Sequence, residues 1–167
     1  MRKLFLLLLL SLVANSFAAA PAQPDVRVLF QKAATEEKSC KMLIDLLQGY
    51  NKDNNPVLAG YRACATMMMA NFNFNPISKL SNFIKGRNLL EKSIEVQKQN
   101  VELRFLRFTI QTNIPSFLGY KSSIQEDKNI LINSVAGLQD LQLKQWVTSY
   151  LKKSSYLTPA EKQNLKS

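Results

Sequence analysis

Apolar residues recur at spacings of three and four along most of this chain, which is the period of a helix that buries one face. Strict alternation, the sign of a strand, is confined to the NFNFN segment just before Pro76. The pattern therefore predicts an all-α protein. The three clearest apolar stripes consist of Met42, Leu43, Leu46, Leu47 and Tyr50; of Leu80, Phe83, Ile84, Leu90 and Ile94; and of Leu141, Trp146, Val147, Tyr150 and Leu151.

Capping residues divide the stripes into separate helices. Asn55 and Asn75 each precede a proline, as expected of an N-cap followed by the first helical residue. SIQE at residues 123–126 and TPAE at residues 158–161 have the spacing of a capping box. The predicted helices cover approximately residues 25–34, 36–50, 56–71, 76–98, 100–113, 124–137, 140–154 and 159–166. Short connections favour antiparallel helical hairpins, stacked as a short α-solenoid or an irregular bundle.

The first 22 residues differ from the rest of the chain. A positively charged start precedes an apolar block at residues 4–13, and small residues follow that block. This order is typical of a secretory signal peptide. We therefore expect a signal peptide at residues 1–22 and a single all-helical domain at residues 23–167.

Two positions have the small residues that signal cleavage requires, one after Ala18 and one after Ala22. The apolar block is shorter than the roughly 20 residues that span a bilayer. An uncleaved anchor that extends through Ala20 is the alternative. With cleavage, the protein is expected to be exported, periplasmic or extracellular, and to have no stable membrane span.

Charge narrows the range of partners. The chain has 22 Lys and Arg against 12 Asp and Glu, a formal net charge of +10 that falls by two when Arg2 and Lys3 leave with the leader. Such a surplus favours an anionic partner, such as a membrane surface or a polysaccharide, or serves solubility alone. Because the basic residues are scattered rather than clustered, we expect no nucleic acid partner.

Several kinds of chemistry are missing from the sequence. The chain has no histidine, which excludes Ser–His–Asp and Cys–His catalysis and the usual zinc sites. Its five glycines are isolated, so no phosphate-binding loop is present. Glu91 and Glu95, one helical turn apart beside Lys92, are interpreted as solvated charges rather than a catalytic carboxylate pair. We therefore expect no enzyme activity, no cofactor and no metal site.

Met67, Met68 and Met69 lie near the end of the third predicted helix. Consecutive helical residues are about 100° apart, so the three methionines fan over about 200° and cannot converge on one ion. Cys64 with Met67 or Met68 does have the spacing of a Cu(I) site. We prefer the interpretation that this is an apolar central helix, whose methionines fill gaps between its neighbours.

Cys40 and Cys64 are the two cysteines of the chain. Antiparallel packing of their helices would place them at a similar height, within about one helical turn (~5 Å). An exported chain with two cysteines favours a disulfide between them. Two buried free thiols are the alternative, and a catalytic cysteine is not expected without a histidine to activate it.

The ELRFLRF segment at residues 102–108 interleaves basic and aromatic residues. Arg104 and Arg107 are three residues apart, as are Phe105 and Phe108, so one helix would carry a cationic stripe beside an aromatic one. Such a stripe would suit a carboxylate or a phosphate group. The alternative is an aromatic core stripe flanked by arginines whose stems lie along apolar surface.

The longest predicted connection, residues 113–122, is unusually apolar and contains Phe117 and Tyr120. A loop of this kind either folds back onto the core or faces a partner. Together with Arg104 and Arg107, these two residues form the predicted partner-binding surface.

The segment at residues 83–105 resembles the second helix of a tetratricopeptide repeat leading into the first helix of the next repeat. Gly86, Leu90 and Ser93 occupy its small–large–small positions, while Lys98 stands where the family has a proline. The resemblance implies a helical-hairpin scaffold with a concave face for partners, and it confers no catalytic residues. We expect an exported, non-enzymatic scaffold or adaptor that binds protein; the alternative is a binder of a small anionic ligand or an envelope polyanion.

Overall fold

The computed structural model describes residues 19–165. These residues form eight α-helices and three short 3-10 turns, with no strand among them, which confirms the all-α prediction. Most of the predicted signal peptide, at residues 1–22, lies outside the described residues. The helices are α1 (Gln23–Ala33), α2 (Glu37–Leu46), α3 (Pro56–Met68), α4 (Pro76–Val96), α5 (Val101–Asn113), α6 (Ile124–Ser134), α7 (Leu141–Lys153) and α8 (Pro159–Gln163).

Side-chain caps begin several helices where the sequence predicts them. The side-chain oxygen of Asn55 accepts the Leu58 N–H at 3.1 Å, and Asn75 caps α4 in a similar way. Thr158 and Glu161 form the predicted capping box at the start of α8. The chemistry of three or four neighbouring residues is enough to set these boundaries.

The capping box predicted at Ser123 is wrong. The Ser123 side chain accepts no hydrogen bond from the first turn of α6. Glu126 instead accepts a hydrogen bond of 2.8 Å from the guanidinium group of Arg104. The Glu126 carboxylate is therefore engaged by a charged partner on α5 instead of completing the local cap.

The third helix is central to the first of two apolar clusters, as predicted for a helix that is apolar on nearly all sides. Leu58, Tyr61 and Cys64 of α3 are buried in this cluster. At Gly86 of α4, an added Cβ would collide with the carbonyl oxygen of Ala63 in α3. Glycine at this position therefore permits the close approach of the two helices.

The fifth helix lies between the two apolar clusters and is buried along almost its whole length. Leu103 and Leu106 belong to the first cluster. Phe105 and Phe108 belong to the second cluster, which α6, α7 and the C-terminal residues complete. Because both sides of α5 are covered, its buried polar side chains depend on partners inside the protein, which its two arginines have and the Gln111 amide lacks among the described residues.

Neighbouring helices cover only part of each predicted apolar stripe, so some residues of the stripes are exposed. Met42, Ile84 and Leu141 belong to these stripes and yet are exposed. The same is true of Leu80 near the start of α4, where Ile77 is exposed as well. This end of α4 therefore presents apolar side chains that the described residues leave uncovered.

Candidate functional site

A groove of about 830 Å³ opens where the ends of α1, α3 and α5 meet the start of α4 and the side of α7. Its volume lies within the range of small-molecule sites, roughly 300–1,000 Å³. Of the described residues that line it, Lys79 is the one with a charged side chain. Most of the lining is apolar, as represented by Phe30, Met67, Met68, Phe83, Ile110 and Trp146.

The groove has a buried floor and an exposed rim. The floor includes Met67, Phe83 and Ile110, none of which is more than 6% exposed. The rim includes Lys79 and Phe117, and Phe117 is 85% exposed. An occupant would therefore meet apolar surface inside and both apolar and cationic groups at the opening.

The methionine-rich end of α3 has two roles in this arrangement. Met67 is buried in the first apolar cluster, which agrees with the preferred interpretation of this stretch as core. Met67 and the half-buried Met68 also line the groove, a role that no pattern in the sequence predicts. Because methionine is unbranched and adaptable, these two side chains can fit occupants of different shapes.

Three polar side chains of the lining, those of Thr109, Asn113 and Tyr150, are hydrogen-bonded within the protein. The Thr109 hydroxyl donates to the Leu106 carbonyl oxygen at 2.8 Å. The Asn113 amide donates to the Thr109 carbonyl oxygen at 2.8 Å and to the Tyr150 hydroxyl at 2.7 Å. The Tyr150 hydroxyl also bonds the Thr112 hydroxyl at 2.8 Å. These bonds leave the walls with few groups to offer to a polar occupant.

The predicted cationic stripe is not on the surface. Arg104 and Arg107 are 5% and 4% exposed, and Tyr120 is also buried, where its ring packs edge-on against Phe83. Of the four predicted partner-binding residues, Phe117 alone is exposed. The structure thus corrects the expected surface, because the position of α5 between two apolar clusters turns its arginines inward.

Asp127 of α6 holds both arginines. Its buried carboxylate accepts bonds from Arg107 Nε at 2.7 Å and Nη2 at 2.8 Å, and from Arg104 at 3.0 Å. Glu91 and Glu126 add a further carboxylate to Arg107 and Arg104 respectively. Burial alone would lower the pKa of Arg107, but the bonds and charges of Asp127 and Glu91 outweigh it and raise that pKa. Because the Glu91 carboxylate accepts a hydrogen bond from Arg107, the prediction that Glu91 is a solvated charge is wrong.

A second buried ion pair joins α1 to α5. Arg27 donates two hydrogen bonds to Glu102, at 2.7 and 3.0 Å, and lies 2.8 Å from Asp140 at the start of α7. The Tyr61 hydroxyl donates to the same Glu102 carboxylate. Burial, together with the charge of Glu102, raises the pKa of Tyr61. The sequence offered no signal for this pair, because Arg27 and Glu102 are 75 residues apart.

The two cysteines are free thiols, so the predicted disulfide is wrong for this structure. The Cys40 sulfur lies 3.2 Å from the Ala65 carbonyl oxygen, whereas the Cys64 sulfur is directed to the Leu106 carbonyl oxygen of α5 at 4.0 Å. Similar height in a hairpin does not make the two side chains face each other. Burial raises the pKa of the Cys40 thiol to about 11, and it raises the pKa of Cys64 as well.

We predict that both thiols are unreactive in the folded protein, because they are buried and protonated at neutral pH. Iodoacetamide should add no label under native conditions and two labels after unfolding in urea without a reductant. The melting temperature should be the same with and without dithiothreitol. A mass two hydrogens below that of the reduced chain, or a melting temperature that dithiothreitol lowers, would show that a disulfide forms.

Two further properties apply to residues 19–165. No three Cys, Asp or Glu side chains of this region are grouped closely enough to hold a metal ion. None of the helices described there has both the length and the apolar character that a bilayer crossing requires.

No family model, curated protein or solved structure matches this chain. The groove and the buried ion pairs are therefore the features from which a function can be inferred.

Proposed function

We propose that this chain is an exported, non-enzymatic binding protein whose groove holds the apolar part of a partner molecule. The observation that carries the proposal is a groove of about 830 Å³ in which Lys79 is the one charged side chain among the described lining residues. Concave, mainly apolar surfaces of this size are the usual form of ligand-binding sites.

The placement of titratable groups supports binding rather than catalysis. The buried carboxylates of Glu102 and Asp127 are paired with arginines and lie outside the groove lining. The hydroxyls of Thr109 and Tyr150, which do line the groove, are engaged in internal hydrogen bonds. Nucleophilic catalysis requires an activating base within reach of the nucleophile, and these hydroxyls have no such partner among their hydrogen bonds.

Titration with N-phenyl-1-naphthylamine, an uncharged apolar dye, tests this proposal. We expect one saturable site per chain. Leu80→Asp in the groove lining should weaken binding at least about tenfold, because it sets a charge against an apolar ligand. Leu46→Asp on α2 is the matched control, since Leu46 is 48% exposed against 53% for Leu80 and does not line the groove. Equal binding by the two variants, or binding that never saturates, would contradict the proposal.

Export is supported by the leader pattern, and the position at which the first helix begins favours one of the two cleavage sites. The Ala22 carbonyl oxygen accepts the N–H groups of Asp25 and Val26, so it belongs to the first turn of α1. Cleavage after Ala22 would remove this acceptor and place a new positive amine at the helix N-terminus, against the helix dipole. Cleavage after Ala18 leaves the first turn intact.

We therefore predict that the exported protein begins at Ala19. Intact-mass measurement and N-terminal sequencing of protein recovered from the periplasm or the medium check this prediction. A chain that begins at Gln23 would show that the helix cap does not influence the choice of cleavage site. A chain that retains its leader would contradict the proposed export with cleavage.

A protein-binding scaffold is the second candidate function, and it is favoured by apolar side chains that the described residues leave uncovered. Phe74 and Ile77 are 99% and 79% exposed just before and within the start of α4. Exposed apolar patches commonly mark protein interfaces. A photo-crosslinking residue at Phe74 should give one discrete protein adduct in the native envelope, and the same residue at Leu46 should give none. Identical adduct patterns at the two positions would remove this candidate.

A further inference from the structure

The gradient between the floor and the rim of the groove indicates the chemistry of its occupant. The floor at Met67, Phe83 and Ile110 is buried and apolar, whereas Lys79 is exposed. An occupant that complements both regions has an apolar body inside the groove and a negative charge at its opening.

The walls offer an occupant few hydrogen bonds. Thr109, Asn113 and Tyr150 are bonded to the backbone or to other side chains of the protein. A sugar or an extended peptide would lose more hydrogen bonds to water here than the remaining polar side chains of the lining, such as that of Asn71, can replace, which is costly. A hydrocarbon chain has no such bonds to lose, so it is the body that these walls favour.

Lys79 is available to an anionic head group. None of the ion pairs among residues 19–165 involves this lysine. No carboxylate is present among the described residues that line the groove. A single negative charge at the opening would therefore gain one cationic partner and face no acidic side chain of the lining.

Building on the proposed function, we infer that the occupant is a fatty-acid anion, with its carboxylate at Lys79 and its unbranched acyl chain on the floor formed by Met67, Phe83 and Ile110. Each methylene that leaves water for an apolar surface increases affinity about fourfold. Affinity should therefore rise with chain length until the groove is full. The adaptable side chains of Met67 and Met68 suit a chain of many conformations.

Displacement of bound N-phenyl-1-naphthylamine by octanoate, decanoate, dodecanoate and tetradecanoate tests the inference, with each acid kept below its micellar concentration. The inhibition constant should fall about fourfold for each added methylene over at least the first three acids. Dodecanoate should bind more tightly than dodecanol, and dodecanol more tightly than dodecylamine, because Lys79 attracts the first head group and repels the last.

Lys79→Gln separates the contribution of the head group from that of the chain. This variant should lose the preference for dodecanoate over dodecanol and keep the dependence on chain length. Lys85→Gln is the control, because Lys85 is exposed on the same helix but does not line the groove. It should change neither property.

The outcomes distinguish the occupant from the proposed function. If the dye binds but none of the acids displaces it, the inferred occupant is wrong while the binding function stands. Displacement by an amphipathic helical peptide and not by the acids would assign the groove to a protein partner and overturn the inference. Equal displacement by acid, alcohol and amine would overturn the role of Lys79. Failure of the dye itself to bind would overturn the proposed function.

Discussion

Replacing Asp127 by alanine is expected to lower the free energy of unfolding by about 3–5 kcal/mol, the usual cost of removing one partner from a buried ion pair. The Asp127 carboxylate is fully buried and is shared by Arg104 and Arg107. Its loss leaves the positive charges of two buried guanidinium groups without the carboxylate that pairs with both of them. Glu91 and Glu126 can replace it only in part, because their side chains are 35% and 57% exposed to water, whereas that of Asp127 is fully buried.

Urea unfolding followed by far-ultraviolet circular dichroism measures this change. Glu95→Ala is the control, since it removes the same charge from an exposed position on α4. The free energy of unfolding of this control should change by less than about 0.5 kcal/mol. Equal effects of the two substitutions would show that the buried network contributes nothing beyond an ordinary surface charge.

Replacing Glu102 by alanine should cost a similar amount, about 3–5 kcal/mol, for a partly different reason. Arg27 would keep Asp140 as its remaining carboxylate, and the side chain of Asp140 is 42% exposed. The buried Tyr61 hydroxyl would at the same time lose its acceptor. The contact between α1 and α5 is therefore expected to weaken before the rest of the fold.

The double variant Arg27→Met with Glu102→Leu tests whether the loss arises from an unpaired charge. Apolar replacement of a whole buried ion pair is often neutral or stabilising, so the double variant should regain the part of the stability that Glu102→Ala loses through the unpaired Arg27, while the Tyr61 hydroxyl stays without its acceptor. If the double variant is instead as unstable as the sum of Arg27→Met and Glu102→Leu measured separately, the two side chains are not coupled.

The starts of α3, α4 and α8 were predictable because a few adjacent residues set them, whereas α2 and α3 end before their predicted ends at residues 50 and 71. At Asn75 and Thr158 the capping side chain and the groups it binds lie within three residues of each other. The same kind of pattern failed at Ser123, where the Glu126 side chain is bonded to Arg104, 22 residues away in the chain. Local chemistry therefore predicts a cap only where the tertiary fold supplies no competitor.

The buried charges were not predictable in the same way. Arg107 is 20 residues from Asp127, and Arg27 is 75 residues from Glu102. The spacing of Arg104 and Arg107 places them on one face of α5, but it does not show whether that face is exposed or buried. Only the position of α5 between two apolar clusters shows that the face is buried. The disulfide prediction failed for a related reason, because hairpin geometry gives the height of Cys40 and Cys64 but not the direction of each side chain.

The groove was predictable only in its separate parts. The methionines of α3 stood out in the sequence as part of a central helix, and the loop that contains Phe117 stood out as an unusually apolar connection. Phe30, Lys79 and Trp146 come from three other helices, and only the packing of those helices brings the side chains together. A single sequence contains no pattern that joins residues so far apart.

Quenching of Trp146 fluorescence by a chain-brominated dodecanoate is the most direct test of the claim that the groove holds an acyl chain. Trp146 is the one tryptophan of the protein and lines the groove, so quenching by near contact reports on an occupant at this place. We predict saturable quenching at one acid per chain, lost in Leu80→Asp and retained in Leu46→Asp. Quenching that is absent, or that rises without saturation and equally in both variants, would contradict this account.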